Sequence, residues 1–362
     1  MIRLANVVEK RYLLCSEQKA NNAMSSLFPE PEAPSPLVGI ARLAAEGEAI
    51  SEGHNVEYVA LENRSLLTRC NSSRVPFSWM INPYRGCEFA CKYCYARYTH
   101  EFMELRDGLD FERLIFIKQN AAWFLRQELK SVRKGERIAI GTATDPYQPA
   151  ERKFNVTRAI LEELAEHKDL SIGLITKSDM ILRDTALLRE IHKHNKLSIS
   201  VTITTMNTEL ARLLEPRAPR PDLRMKAVQQ LSMAGLHAGV NCAPVLPQIT
   251  DSQPDLEQLV QSAGEAGAAF VFCNALFLKP CAKNVLLPFL QEHFPKLVTV
   301  YEHMYADRAY LPSHYGDRVS SLVRKLCQKH GVGKSQREAP SWHDLVSKRT
   351  APGDAQLGLF TT

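Results

Sequence analysis

The chain has few cysteines for its length, and long apolar runs are missing. Nine cysteines in 362 residues are far below the density of a small secreted disulfide protein. The first residues, Met1–Arg11, contain no long apolar stretch, so we expect no secretory signal. No apolar run is long enough to span a bilayer. These absences exclude the disulfide-scaffold and membrane classes and predict a cytoplasmic protein with free thiols.

A large excess of charge is also missing. The formal net charge is +5 and the sequence pI is about 8.6, below the value of about 9 that is typical of dedicated nucleic-acid-binding domains. Hydrophobic residues make up 45% and charged residues 23% of the chain, as in ordinary globular proteins. The charge therefore permits a nucleic-acid partner without requiring one.

Against this background, three cysteines lie close together and lack a fourth nearby. Cys87, Cys91 and Cys94 have the spacing C-x3-C-x2-C. A closed structural metal site uses four protein ligands, and an iron–sulfur cube is usually held by four thiolates. Three thiolates on one loop would leave one metal corner open for a substrate or cofactor. The triplet therefore indicates chemistry more than structural support.

Three other interpretations of the triplet remain open at this point. Disulfide bonds fit poorly with the absence of a secretory signal. Zinc is a second possibility, with His100 as the fourth ligand, although zinc ligands usually come as two separated pairs. The third is unliganded core cysteine, which suits the scattered cysteines better than a triplet beside Arg85 and Glu88. The spacing favours an iron–sulfur cluster.

The run from Asn82 to Arg97, NPYRGCEFACKYCYAR, resembles the cluster-binding loop of the radical S-adenosylmethionine (radical SAM) superfamily. Tyr93 occupies the aromatic position before the third cysteine. The longer string is similar to the spore photoproduct lyase-like branch, many of whose members are described as DNA repair photolyases, and the resemblance extends from about Asn71 to about Pro288. It implies that Cys87, Cys91 and Cys94 hold a [4Fe-4S] cluster and that S-adenosylmethionine yields a 5′-deoxyadenosyl radical for hydrogen-atom abstraction.

Short apolar segments alternate with amphipathic segments from residue 77 onward. The predicted strands are 77–81, 137–142, 171–176, 197–203, 238–243 and 269–275, and the predicted helices are 120–132, 156–167, 184–194, 223–234 and 255–266. Such alternation predicts a parallel α/β sheet or barrel. The resemblance implies the partial (β/α)6 barrel of the radical SAM core.

The flanking sequences predict the domain organisation. Prolines between residues 28 and 36 indicate an extended linker, and loss of periodicity near the C-terminus indicates a flexible tail. The predicted segments are an N-terminal extension at 1–37, an edge segment at 38–76, the core at 77–300, a helical region at 301–330 and a tail at 331–362.

Polar residues that follow the predicted strands are candidates for the active site, because active residues of parallel α/β folds gather at the carboxyl ends of the strands. Each has an ordinary structural alternative, such as a turn for Asp145 or a solvated surface position for Lys177. The resemblance implies that S-adenosylmethionine is bound by Tyr93, Thr144, Asp145, Lys177, Arg224 and Ala243. The hydroxyl face of the fourth predicted strand adds Thr202 as a candidate for a neutral contact to the nucleoside.

A possible hydrogen-atom donor is less clear in the sequence. Cys242 follows the fifth predicted strand and is a candidate, although buried free cysteine is usually inert core. Spore photoproduct lyases carry a cysteine at the end of the second strand, where this chain has Thr142 or Ala143. Because a threonine O–H bond is too strong to replace a thiol, we expect a different hydrogen-abstraction reaction.

The partners implied by the resemblance are a flavodoxin- or ferredoxin-type one-electron reductant and a nucleic-acid substrate. The tail sequence Gln356–Phe360, QLGLF, resembles the short peptide that docks into the bacterial sliding clamp. Two alternatives remain open at this stage: a zinc-stabilised nucleic-acid-binding module without catalysis, and a radical SAM enzyme that acts on a peptide or small molecule.

Overall fold

The computed structural model describes residues 37–53, 55–72 and 74–333. Most of the described chain forms one large sheet with helices packed on it. The strands of the described chain, which belong to this sheet and to a smaller one, are β1 (Ala49–Gly53), β2 (Val56–Leu61), β3 (Leu67–Arg69), β4 (Trp79–Ile81), β5 (Tyr84–Arg85), β6 (Leu114–Lys118), β7 (Arg137–Ile140), β8 (Ser171–Thr176), β9 (Lys196–Thr202), β10 (Ala238–Val245) and β11 (Val271–Ala275). The N-terminal extension and most of the tail predicted from the sequence lie outside the described residues.

Helices connect the strands in the order expected for β–α units. They are α1 (Gly39–Ala45), α2 (Tyr98–Glu101), α3 (Asp110–Arg113), α4 (Ala121–Glu128), α5 (Ala150–Phe154), α6 (Val156–Ala165), α7 (Thr185–His194), α8 (Thr208–Leu214), α9 (Pro221–Met233), α10 (Gln253–Glu265), α11 (Pro280–His293), α12 (Val298–Met304) and α13 (Ser313–Lys329). Several start at good capping residues: the Asn207 side chain accepts from two backbone N–H groups at the start of α8, and the Ser252 hydroxyl accepts from Asp255 N at the start of α10. Within the described residues, no helix is both long and apolar enough to cross a bilayer.

The large sheet has the strand order β3–β4–β7–β8–β9–β10–β11. Strands β4, β7, β8, β9, β10 and β11 pair in parallel, and β3 pairs antiparallel at one edge. All six predicted core strands are therefore present in sequence order, and the parallel α/β class is confirmed. The sheet is open in the described part of the chain, with β3 and β11 at its edges.

The largest of three hydrophobic clusters among the described residues packs helices against this sheet. Its members from the strands are fully buried, among them Ile138, Leu174, Ile199 and Val240. Helix α6 contributes Ile160, Leu161 and Leu164, which are also fully buried. The registers place these strand residues on one face of the sheet, against the helices, while small and polar residues such as Ser200 and Asn241 alternate with them on the other face.

A second, four-stranded sheet was not predicted from the sequence. It has the order β1–β2–β6–β5 and joins the segment before the core to the two strands that flank the cysteine loop. Strand β5 precedes Cys87 directly and pairs antiparallel with β6. The segment 38–76 therefore helps to fix the start of the cysteine loop, rather than only covering an edge.

The predicted helical region 301–330 is interrupted. Helix α12 ends at Met304 and α13 begins at Ser313, so residues 305–312 form a loop between them. Pro312 is the residue before α13 and has extended backbone geometry. The interruption matters because this loop places Tyr310 at the cavity that the cysteine loop also lines.

Candidate active site

The cysteine loop leaves the sheet after β5 and opens into a cavity of about 340 Å³. Cys87, Cys91 and Cys94 all line this cavity. Many of its other lining residues come from the carboxyl ends of the parallel strands and the segments that follow them: 141–145, 175–177, 274–277, Asn241, Ala243 and Pro244. The topology therefore places the thiols at the end of the sheet where parallel α/β folds carry their active residues.

A glycine shapes the floor of the cavity. Gly141 follows β7 with φ of +86°, a left-handed conformation that glycine adopts most readily. A Cβ atom at this position would lie 2.4 Å from the carbonyl oxygen of Ile175. Gly141 therefore allows the chain to turn closely over β8 and to present Thr142–Asp145 to the cavity.

The loop is tied to its surroundings by backbone bonds. Cys87 N donates to Phe111 O at 2.8 Å, and Lys92 N donates to Leu214 O at 2.9 Å. The buried guanidinium of Arg97 donates to Cys91 O at 3.0 Å and pairs with Glu112 at 2.7 Å. These contacts hold the loop in shape without using the thiols, which stay available as ligands.

The thiols are free, and burial disfavours their ionisation. Burial, followed by the charge of Asp145, raises the pKa of Cys87. Burial raises the pKa of Cys91 to about 12, with Lys177 acting in the opposite direction. Iron would reverse this balance, because metal coordination deprotonates a thiol outright.

The arrangement of the three thiols suits an iron–sulfur cluster better than a single metal ion. Among residues 37–53, 55–72 and 74–333, no three His, Cys, Asp or Glu side chains converge on a point that could hold one metal ion. A cubic cluster makes a different demand, since each thiolate binds a separate corner, so the thiols need only face a common space. Three thiols lining one cavity meet this demand.

His100, the fourth zinc ligand considered above, lies elsewhere. Its Nε2 atom bonds to Leu114 O at 3.1 Å, and its ring packs against Phe111 and Phe116. Burial lowers the pKa of His100 to about 4. It is a neutral core histidine, and the zinc site built on it is wrong.

Asp145 does not face the cavity as a free carboxylate. Its Oδ1 atom accepts from Thr176 Oγ1 at 2.6 Å and from Tyr147 N at 2.9 Å, and its Oδ2 atom accepts from Lys177 N at 2.6 Å. The carboxylate thus joins the end of β7 to the end of β8. Its effect on the site is to fix the backbone of Lys177.

Lys177 is the predicted residue that best presents a charge to the cavity. Its Nζ atom makes no hydrogen bond or ion pair with the part of the chain that the structure describes, and lies 5.7 Å from the centre of the Tyr93 ring. Burial lowers the pKa of Lys177, but Cys91 and Glu215 outweigh it, so the pKa is raised overall. The amine is therefore charged and ready to bind a carboxylate.

Other predicted cofactor residues lie at the cavity with their polar groups already paired. Thr144 Oγ1 donates to Gly86 O at 2.5 Å. Thr202 Oγ1 accepts from Asn241 Nδ2 at 3.2 Å, while the other side-chain atom of Asn241, Oδ1, is buried without a partner. Thr144, Thr202, Tyr93 and Ala243 all line the cavity.

Arg224 lies behind the cavity, not in it. Its Nη1 atom is 2.6 Å from Glu215 Oε2, and both side chains are almost fully buried. Glu215 also accepts from the Tyr93 hydroxyl and from Thr204 Oγ1 at 3.3 Å. Contact between Arg224 and the cofactor stays a prediction that this position does not support, because the guanidinium is paired with Glu215, which in turn holds the Tyr93 side chain in the cysteine loop.

Cys242 is also misplaced for its predicted role. Its neighbours Asn241 and Ala243 line the cavity, and alternation along a strand directs Cys242 to the opposite face. It is fully buried in the main core and pairs in register with Cys273, whose sulfur lies 3.9 Å from the Ser320 hydroxyl on α13. Cys242 as a hydrogen-atom donor therefore stays a prediction that its position in the core does not support.

Comparison with known proteins gives the site its context. Residues 81–260 match the family model described as the radical SAM superfamily. An uncharacterized protein of Mycobacterium tuberculosis is 35% identical over 271 residues, which cover 75% of this chain and 79% of the relative. The chain belongs to the radical SAM superfamily. It is an enzyme of that superfamily, whose cofactors are a [4Fe-4S] cluster and S-adenosylmethionine. This decides against the zinc-stabilised module without catalysis.

The fold agrees with this membership. A solved mutant of spore photoproduct lyase, itself a radical SAM enzyme, superposes with a TM-score of 0.60 at 16% identity, covering 90% of this chain and 92% of that chain. A structure of the same lyase complexed with dinucleoside spore photoproduct gives a TM-score of 0.60 over 84% of this chain and 86% of that chain. An uncharacterized protein of Methanocaldococcus jannaschii is 27% identical over 256 residues, 70% of this chain and 90% of the relative.

Sequence reasoning missed two residues at this candidate site. Glu215 braces Tyr93, and the ring of Tyr95 packs 5.7 Å from that of Phe277, yet neither was predicted. Glu215 precedes Pro216 in a loop that looks solvated in the sequence, and its burial could not be read from composition. Tyr95 directly follows Cys94, and this position next to a predicted ligand is the sequence signal that places Tyr95 at the site.

We expect loss of the Lys177 charge to weaken binding of S-adenosylmethionine. The Lys177→Met variant should raise the Kd by about 10- to 100-fold, because a hydrogen bond to a charged group contributes about 1.5–3 kcal/mol. Isothermal titration with anaerobically reconstituted protein measures this Kd. Lys177→Arg keeps the charge and should lose less. An unchanged Kd in Lys177→Met would contradict the assignment.

Proposed function

We propose that Cys87, Cys91 and Cys94 hold the [4Fe-4S] cluster of this radical SAM enzyme and that the enzyme abstracts a hydrogen atom from a nucleic acid. One observation supports the first part most strongly: the three thiols and the unpaired amine of Lys177 face the same cavity. When bound, the cluster supplies the electron that cleaves S-adenosylmethionine and so makes hydrogen-atom abstraction possible.

The residues that line the cavity position S-adenosylmethionine and keep water away from it. Lys177 binds the carboxylate of S-adenosylmethionine, and Asn241 offers its unpaired Oδ1 atom to a donor on the cofactor. The backbone at Ala243 provides further contact on the same wall. Apolar residues dominate the rest of the lining, among them Phe89, Phe111 and Leu276, and they exclude water from the reacting atoms.

Nucleic acid is the substrate class that we favour. The net charge of +5 permits a polyanion to approach. The solved lyase with the similar fold was crystallised with a dinucleoside photoproduct. The reaction here differs from that repair, because the second core strand leads to Thr142, whose hydroxyl exchanges hydrogen bonds with Asn82 and cannot act as a thiol would.

Transfer of deuterium tests the reaction. Reconstituted enzyme, dithionite and S-adenosylmethionine are incubated with nucleic acid deuterated at carbon, and the 5′-deoxyadenosine formed is analysed by mass spectrometry. We expect deuterium in 5′-deoxyadenosine only when nucleic acid is present. Deuterium taken instead from labelled peptides or small metabolites would overturn the nucleic-acid part of the proposal, and no 5′-deoxyadenosine at all would overturn the enzyme assignment to this cavity.

In the cell, we propose a flavodoxin- or ferredoxin-type protein as the source of the electron. We place the reaction in the cytoplasm, where reducing conditions keep thiols and cluster ligands reduced. All the described cysteines are free, which agrees with that compartment.

We further propose that Gln356–Phe360 binds the bacterial sliding clamp and directs the enzyme to DNA, in a repair-related role. These residues lie outside the described part of the chain, so the proposal rests on the sequence QLGLF. Leu357, Leu359 and Phe360 would occupy an apolar groove, as in other short linear motifs that become ordered on binding.

Removal of the motif should abolish clamp binding and leave catalysis unchanged. In a pull-down with purified clamp, the chain lacking Gln356–Thr362 should fall to background, and Leu359→Ala with Phe360→Ala should do the same. Substitution of Thr361 and Thr362 by alanine is the matched control and should keep full binding. Equal capture of the full chain and the truncated chain would refute the proposal.

A further inference from the structure

Three side chains from distant parts of the chain meet at the mouth of the cavity. Arg74 precedes β4, Phe277 follows β11, and Tyr310 lies in the loop between α12 and α13. All three line the cavity, and we call them the aromatic rim. A backbone bond from Leu278 N to Ala309 O, 2.9 Å long, joins two of the three segments, so the rim is held in place by the fold.

The rim is a layered arrangement of flat groups. The rings of Phe277 and Tyr310 are stacked, with centroids 4.2 Å apart and planes inclined by 22°. The guanidinium carbon of Arg74 lies 4.4 Å from the centre of the Tyr310 ring. Arg74 is exposed, and both rings are half-buried, so a molecule that enters the cavity passes along them. Tyr95 connects the rim to the cysteine loop through its contact with Phe277.

The charge at this mouth is positive. Asp145 is the one carboxylate among the described residues that line the cavity, and its oxygens are already bonded to Thr176, Tyr147 and Lys177. Arg74 contributes a cation at the rim, and Lys177 contributes a second cation to the same cavity. A ligand that fits this mouth combines a flat ring with negative charge.

We propose that the aromatic rim binds one unpaired nucleotide of a nucleic-acid strand. Phe277 covers one face of the Tyr310 ring; the base takes the place of the exposed Arg74 guanidinium on the other face, and the displaced guanidinium pairs with the phosphate. Any base can stack on an aromatic side chain, and arginine pairs well with phosphate. A base inside a duplex has both faces covered by its stacked neighbours, and a cavity of about 340 Å³ cannot admit a duplex, so the strand must be single or locally opened. This inference rests on the proposed function and specifies the form of its substrate.

Binding of short oligonucleotides tests the rim. The full-length protein, reconstituted and supplied with S-adenosylmethionine, is titrated into fluorescein-labelled oligothymidine, a duplex of the same length and a strand of abasic residues, with fluorescence anisotropy as the readout. We expect the single strand to bind most tightly. Tyr310→Ala should weaken its binding about tenfold, since loss of one base–aromatic stack has roughly that effect, and should leave binding of the abasic strand unchanged.

Two variants and one control sharpen the test. Tyr310→Phe keeps the ring and should bind like the native chain. Arg74→Ala should weaken the normal and abasic strands alike and reduce the salt dependence by about one phosphate contact. Trp123→Ala removes an exposed aromatic residue on α4 that does not line the cavity, and should change nothing.

The rim is refuted if the abasic and normal strands bind equally, if Tyr310→Ala binds like the native chain, or if an acidic aromatic peptide binds in place of the oligonucleotides. Cleavage of S-adenosylmethionine by dithionite-reduced protein, measured without nucleic acid, tests the proposed catalytic centre separately. If S-adenosylmethionine is cleaved but the rim variants bind the oligonucleotides like the native chain, only the nucleotide-binding role of the rim is overturned. If the oligonucleotides bind as expected but S-adenosylmethionine is not cleaved, the nucleotide-binding role of the rim is supported and the catalytic assignment is overturned.

Discussion

Replacement of any one of Cys87, Cys91 and Cys94 by alanine should abolish formation of the iron–sulfur cluster and cleavage of S-adenosylmethionine. Three thiols line the cavity, and each would bind a separate corner of the cube, so no other thiol among the described lining residues could replace a lost one. Changes outside the ligand shell already cost about 10- to 100-fold in metal affinity. Loss of a ligand should therefore reduce iron content and activity to background.

The measurement is iron and sulfide content after anaerobic reconstitution, with the absorbance near ~400 nm that thiolate-bound clusters show. Cys327→Ala is the matched control, because Cys327 is a free, half-buried thiol on α13, packed on the opposite side of the sheet from the cavity. It should retain its iron. A triple variant of the loop that still bound a full cluster would show that the cluster lies elsewhere.

The Glu215→Ala variant should be the most destabilising change near the site that leaves every thiol intact. Glu215 and Arg224 are almost fully buried and 2.6 Å apart. Removal of one partner of a buried ion pair leaves the other charge uncompensated and costs about 3–5 kcal/mol. The variant would also release the Tyr93 hydroxyl, so the cysteine loop should lose part of its support.

Urea denaturation of the apoprotein measures this loss without interference from the cluster. Glu190→Ala is the control: Glu190 pairs with Lys193 at 2.5 Å, but both side chains are about half exposed or more, so its loss should cost about 0–1 kcal/mol. The double variant Glu215→Ala, Arg224→Met should be more stable than Glu215→Ala alone. Equal losses in Glu215→Ala and Glu190→Ala would disprove the importance of the buried pair.

The contribution of Glu215 should also depend on pH. Burial raises the pKa of this carboxyl, but Arg224 and Lys177 outweigh burial and hold the pKa below its usual value of 4.5. A group whose pKa is lower in the folded state stabilises the fold above its unfolded pKa and loses that contribution as the pH falls. The difference in stability between the native chain and Glu215→Ala should therefore be greatest above about pH 5 and shrink in acid.

The core strands were predictable from the sequence because the local pattern of apolar residues is enough to identify them. Short apolar runs such as 171–176 are buried on both faces, and the amphipathic run at 156–167 needs one apolar face. The small sheet escaped prediction because its strands come from separate segments: β2 pairs with β6, more than fifty positions along the chain by the numbering of Val56 and Leu114. Pairing at that distance leaves no periodic signal.

The candidate site was predictable only in part, for a related reason. The spacing of Cys87, Cys91 and Cys94 is a local property, and so is the position of Lys177 at the end of a strand. Whether a polar side chain is free depends on its neighbours in space. The carboxylate of Asp145 and the guanidinium of Arg224 had suitable chemistry and position, but partners from other elements already occupy them.

The sequence by itself determined the class of this protein: a loop of three thiols after a strand, in an alternating α/β chain, is readable from spacing and periodicity. The tertiary structure alone decided which groups face the cavity. Strand alternation turns Cys242 away from the cavity, and chain segments far apart in sequence bring Arg74, Phe277 and Tyr310 together at its mouth. The physical reason is that a ligand's chemistry can be carried by a short motif, whereas the surface offered to a substrate is assembled by long-range packing.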